Sequence, residues 1–162
     1  MSNEYREARL RDLPAICELG QVVNLLHHEA WPAIFAPPSD ALRDEAHWRR
    51  GIGHADAVTF VAEQAGNLVA FITVMLVDES NSLLQPGRYA RIGSICVDEA
   101  FRGRGVGKRL MVLAEEWSAS RGASDMRLNV WSFNQRALSF YDELGYQVRA
   151  HSLGKALPNR GT

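Results

Sequence analysis

Residues 95–110 run Ile95-Cys96-Val97-Asp98-Glu99-Ala100-Phe101-Arg102-Gly103-Arg104-Gly105-Val106-Gly107-Lys108-Arg109-Leu110. The segment begins as a strand, passes through a loop with glycines at alternate positions and opens an amphipathic helix. Glycine lets backbone N–H groups approach a ligand without interference from a Cβ. The first turn of a helix adds unsatisfied N–H donors and a partial positive charge. Together they form a site for an anion. Arg102, Arg104, Lys108 and Arg109 place four cationic side chains within eight residues, an arrangement that fits a pyrophosphate.

Two better-known phosphate loops are excluded by the residues themselves. A Walker A loop requires G-x-x-x-x-G-K followed by Ser or Thr. Here Gly107-Lys108 is followed by Arg109, and Arg102 stands five positions before Gly107. The dinucleotide fingerprint G-x-G-x-x-G fails because Lys108, not glycine, follows Gly105 by three.

On either side of this loop the periodicity lays out an α/β chain. Downstream, Val106, Leu110, Leu113, Ala114 and Trp117 share one face of a helix reaching about Arg121. Arg127 to Trp131 reads as a strand, Asn134 to Leu144 as a helix ended by Gly145, and Tyr146 to about His151 as a last strand. Upstream, Arg91 to Val97 is a strand, preceded by a polar loop from Asp78 to Gly87. Val58 to Glu63 and Leu68 to Val77 form a hairpin around Ala65-Gly66-Asn67. Near the start, Tyr5 to Arg9 is extended and Asp12 stands as an N-cap before Leu13-Pro14. Ile16, Leu19, Val23, Leu26 and Ala30 follow at helical spacing. Pro32, Pro37 and Pro38 break that helix, and Ser39 or Asp40 caps another running to about Gly51. The expected order is β-α-α-β-β-β-α-β-α-β: a single domain over 1–162, with a mixed, mostly antiparallel sheet and helices on both faces.

Composition narrows the function. Eighteen basic against nineteen acidic side chains give a net charge of -1, so no global field favours nucleic acid or an anionic membrane. The longest apolar run, Leu68 to Val77, is too short to span a bilayer, and the N-terminus shows no signal-peptide pattern. A cytoplasmic location is expected. Cys17 and Cys96 are far apart and form no CxxC pair, which suits free thiols. With no Cys/His cluster and no two histidines at i, i+4, no metal is expected.

Arg102-Gly103-Arg104-Gly105-Val106-Gly107 resembles the [QR]-x-x-G-x-[GA] motif of the GNAT superfamily of N-acetyltransferases, and the element order is similar too. The resemblance covers roughly residues 5–150 and is sharpest from 91 to 146. It implies acetyl-CoA as acyl-donor co-substrate. Its pyrophosphate would lie on the amides and cations of Arg102, Gly103, Arg104, Gly105, Val106, Gly107 and Lys108, and its pantetheine arm on the main chain of Ile95, Cys96 and Val97. Gly93 would be the point where that strand bulges and splays from its neighbour. A later block, Asn134 to Ala137 leading to Phe140-Tyr141 and Gly145-Tyr146, resembles the family's N-x-x-A-x-x-F-Y-x-x-x-G-[FY]. By that resemblance Asn134 contacts the pantetheine amide and Tyr141 protonates the departing thiolate as general acid. The bland roles are an N-cap for Asn134 and core packing for Tyr141.

The acceptor half is less legible. Family members commonly use a carboxylate near the acyl group to deprotonate the amine, but Arg91 to Val97 carries none, so no base is assigned. Asp98 fits a turn-forming role better. His27 to Phe35 is rich in aromatic and titratable groups and offers a wall for the acceptor pocket. Relatives commonly end in a paired strand, yet Lys155 to Thr162 is short and contains Pro158, which raises the hypothesis of a homodimer supplying that strand. The expectation is direct acetyl transfer from acetyl-CoA to a primary amine; the alternative is a non-catalytic acyl-CoA-binding module on the same fold.

Overall fold

The computed structural model describes residues 2–159, without the side chain of Ala41. Residues 160–162 of the expected tail lie outside the described ones. The elements are β1 (Glu4–Glu7), α1 (Leu13–Ala30), α2 (Glu45–Arg49), β2 (Ala57–Gln64), β3 (Asn67–Asp78), β4 (Arg88–Val97), α3 (Val106–Ser120), β5 (Met126–Arg127) and α4 (Gln135–Glu143). Two compact units divide the chain, up to residue 129 and from residue 130, and each is described by itself.

In the first unit five strands form one sheet in sequence order. The pairs β1–β2, β2–β3 and β3–β4 are antiparallel, whereas β4–β5 is parallel and reached through α3. The expected hairpin is present, with Ala65 and Gly66 as a two-residue turn at φ 49° and 82°. Side chains alternate along the strands, so Val61, Phe71 and Cys96 share one face of the sheet. Leu13, Ile16 and Cys17 of α1, Trp48 of α2 and Ile52 pack there in a single apolar cluster. Gly20 makes this approach feasible: a Cβ there would stand 2.8 Å from Cζ2 of Trp48. Phe60, Ile72 and Val74 are buried on the opposite face, and α3 packs on β2, β3 and β4 with Val106, Leu110, Met111, Ala114 and Trp117 inside.

The departures from expectation follow from non-local partners. Leu26 and Ala30 are exposed, because the stripe that α1 buries is Leu13, Ile16, Cys17 and Gly20. Asp12 does not cap α1 with its side chain. It accepts instead from Arg6 at 2.7 and 3.0 Å and from the amide of Arg9 at 2.7 Å, while Arg6 also reaches Glu63 on β2. The cap of the second helical segment is Asp40, whose Oδ1 accepts from Leu42 N at 2.9 Å. The strand expected over 127–131 is only Met126–Arg127. Residues 146–151 form no strand: no strand pairs with them among the described residues, and Val148 stays 70% exposed. The observed order therefore ends on a helix.

In the second unit, Asn134 caps α4 by accepting from Ala137 N at 3.1 Å. Gly145 ends it at φ 87°, with the Tyr146 amide returning to the carbonyl of Tyr141 at 3.0 Å.

Candidate functional site

Between β4 and α3 the chain makes a short 3-10 turn over Glu99–Phe101, capped by Asp98, whose Oδ1 accepts from Ala100 N at 2.9 Å. Asp98 thus has the turn-forming role expected of it. Arg102 folds back, its Nε–H donating to the carbonyl of Val97 at 3.0 Å. The Arg104 guanidinium carbon sits 5.5 Å from the centre of the Phe101 ring. Gly103 and Gly105 have φ of 71° and 78°, a region where an L side chain costs about 1–2 kcal/mol. With these two turns made, α3 begins at Val106, and its first closed bond runs from Arg109 N to Gly105 O at 3.0 Å. Among the described residues, the amides of Gly103, Arg104, Gly105, Val106, Gly107 and Lys108 donate to no carbonyl or side chain. A run of unpartnered donors at the positive end of a 15-residue helix, flanked by Arg104, Lys108 and Arg109, has the chemistry to hold an anion.

Just before the cradle, β4 leaves its neighbour. β5 pairs with it only at Ala90 and Arg91, so from Ile92 to Val97 that edge has no strand beside it among the described residues. Across β3 the register slips: Ile72 faces Ile95 but Val74 faces Ile92, leaving Thr73 opposite both Gly93 and Ser94. This is a β-bulge at the glycine where the sequence suggested one. Ser94 N donates to Thr73 Oγ1 at 2.9 Å, and a Cβ on Gly93 would stand 2.7 Å from that oxygen. From Ile92 to Val97, β4 thus runs without a strand on that edge among the described residues, the carbonyl of Val97 held by Arg102, and Ile95, Cys96 and Val97 lead directly into the loop of residues 102–108. Cys96 turns its side chain into the apolar cluster, and burial pushes its thiol up to about 12. Cys17 is likewise buried and raised by desolvation. Neither thiol is a nucleophile near neutral pH.

Asn134 and Tyr141 belong to the second unit. Tyr141 is 9% exposed, with its ring edge-on to Phe140 at 5.3 Å and to Tyr146 at 5.7 Å. The His27–Phe35 segment closes on itself: His27 Nδ1–H donates to Val23 O at 2.7 Å, His28 Nδ1–H to Phe35 O at 2.8 Å, and the His27 and Phe35 rings meet at 4.8 Å. No residue of the His27–Phe35 segment lines the cleft that lies beside the bulge in the first unit. His47, Arg50 and Arg91, which do line it, escaped sequence reasoning because no spacing links them.

Comparison with known proteins bears on the family and the fold. The profile of the Acetyltransferase (GNAT) family matches residues 23–146. An uncharacterized N-acetyltransferase of Methanocaldococcus jannaschii is 36% identical over 90 residues, which make up 56% of this chain and 39% of that relative. A mutant form of the BH1408 protein of Bacillus halodurans shares the fold with a TM-score of 0.89 at 22% identity, over 96% of this chain and 99% of the other. So does an aminoglycoside N-acetyltransferase solved in complex with CoA, with a TM-score of 0.71 at 17% identity, over 96% and 95%. With its profile matching 124 of the 162 residues and spanning both the glycine loop at the head of α3 and α4, this chain belongs to the GNAT family of acetyltransferases.

Proposed function

We propose that the chain transfers an acetyl group from acetyl-CoA to a primary amine, by direct attack and without an acyl-enzyme. The observation that carries this is the run of six unpartnered amides from Gly103 to Lys108, set among cations at the start of α3. A diphosphate satisfies those donors, and the extended arm of coenzyme A fits the unpaired edge of Ile95, Cys96 and Val97 by adding main-chain hydrogen bonds. Asn134 takes a pantetheine contact in addition to its cap, by the family motif.

The acetyl thioester supplies an activated carbonyl. The amine lone pair forms the new C–N bond, the C–S bond breaks, and the sulfur leaves as a thiolate. Tyr141 gives that sulfur its phenolic proton, which solvent restores; the amide nitrogen releases its surplus proton to water. A covalent route through cysteine is disfavoured, since Cys96 stays protonated until about 12 and Cys17 is buried.

Calorimetry with coenzyme A, joined to an amine-dependent assay of thiol release, tests this proposal. Binding of CoA is expected, weakened by Arg102→Ala. Binding without release of thiol from any amine would leave only a CoA-binding module. No heat with CoA or acetyl-CoA would refute the cradle.

A further inference from the structure

A cleft of about 210 Å³ lies on the face of the sheet that α2 covers, with Gly93 on its floor. Its walls mix apolar surface from Trp48 and Met75 with three basic side chains, His47, Arg50 and Arg91, and include no carboxylate. Four other arginines of this unit are paired with acids: Arg43 with Asp44, Arg49 with Glu45, Arg88 with Asp78, and Arg127 with Asp125 and Glu79. Arg50 and Arg91 are exposed and pair with no acid among the described residues. Arg91 is nevertheless held in place. Its guanidinium donates to the Tyr89 hydroxyl at 3.2 Å and lies 5.8 Å from the centre of that ring. Two guanidiniums without acidic partners on the lining of a small, mainly apolar cleft suit a carboxylate or phosphate.

The cleft also has a fixed place relative to the donor edge. Its floor is the bulge, one residue beyond the unpairing of β4 from β5, at the end of that edge remote from the cradle. Gly93 leaves the floor as bare backbone, since a Cβ there would collide with Thr73 Oγ1 at 2.7 Å. We infer that this cleft takes the acceptor, and that the acceptor is a small amine bearing an anionic group, carboxylate or phosphate, clamped by Arg50 and Arg91. The inference rests on the acetyl transfer proposed above. It accounts for a further feature: cationic walls disfavour an ammonium ion and help the amine reach its neutral, nucleophilic form, which suits a site with no carboxylate on its strand or walls. The same walls repel polyamines and other polycations.

The test uses the full chain and matched amines: 2-aminoethyl phosphate against ethanolamine, and 3-aminopropanoate against propylamine. Thiol release from acetyl-CoA reads turnover, and calorimetry of each amine, with and without CoA, reads binding. In at least one pair the anionic member is expected to show kcat/KM higher by about tenfold or more. The pair that does so identifies carboxylate or phosphate. Arg50→Gln and Arg91→Gln, both at exposed positions, should each raise KM and Kd for the anionic amine by about tenfold and so shrink its advantage over the neutral partner. Arg91→Glu should reverse the preference. A preference for neutral or polycationic amines, or variants that weaken both members of a pair alike, would overturn the inference. An absence of CoA binding would instead sink the acetyl-transfer proposal, because the amine titrations without CoA report on the cleft alone.

Discussion

Thr59 and Thr73 face each other across β2 and β3, and replacing each by valine should move stability in opposite directions. Thr59 is 2% exposed and its Oγ1 finds no hydrogen-bond partner. A buried hydroxyl without a partner costs about 1–3 kcal/mol, which valine removes while keeping the shape. Against that, the packing is tight: a Cβ on Gly51 would stand 2.3 Å from this oxygen, so the wider methyl loses part of the gain. The net expectation for Thr59→Val is about 1 kcal/mol of stabilisation. Thr73 Oγ1 accepts the Ser94 amide at the bulge, in a half-buried setting. Valine there orphans that donor, at a cost of about 1–2 kcal/mol. The two variants, identical in chemistry, should therefore differ by about 2–3 kcal/mol in urea unfolding, or roughly 4–12 °C in Tm for a chain of this size. Thr73→Val should also weaken CoA binding, because the bulge shapes the donor edge, whereas Thr59→Val should not. Midpoints moving in the same direction would refute the assignment of one satisfied and one unsatisfied hydroxyl.

Arg6 beside Asp12 holds its carboxyl below the usual carboxylate range, so the folded pKa lies under the unfolded one. That contribution is complete above about pH 4 and is lost as pH falls through the folded value. Asp12→Asn should cost about 2 kcal/mol at neutral pH and flatten the acid limb of a Tm profile; an unchanged acid limb would exclude the pair as its source. Cys96, with its thiol at about 12, should resist iodoacetamide in the folded protein at pH 8, and Cys96→Ala should retain turnover. Rapid alkylation, or loss of activity in that variant, would put the sulfur back into the chemistry. Tyr141→Phe should lower kcat by about 100-fold or more and leave CoA affinity unchanged, as titration and steady-state assays on one preparation would show. Turnover equal to wild type would remove the phenol from the mechanism.

What short-range sequence carried is what is made by neighbours in the chain. The glycines at 103 and 105, the helix opening at Val106, the caps at Asp40 and Asn134, the hairpin at Ala65-Gly66 and the stop at Gly145 each depend on a few consecutive residues, and all form. Even the bulge had a local trace in Gly93. Whatever depended on distant partners had no such trace. Asp12 has the residue type of a helix cap, yet Arg6 takes its carboxylate because β1 brings that guanidinium within reach. Tyr146 to His151 alternates suitably for a strand, but a strand also needs a neighbour to pair with, and the described residues supply none. Arg50 and Arg91 are separated by two whole strands in sequence; only the antiparallel register of β2, β3 and β4 and the packing of α2 bring them to one cleft. Backbone conformation is set within a few residues, so the glycine turns and the helix start at Val106 could be read along the chain. Charge convergence is set by which strands pair and in what register, so the cleft lined by Arg50 and Arg91 could be found only in the folded molecule.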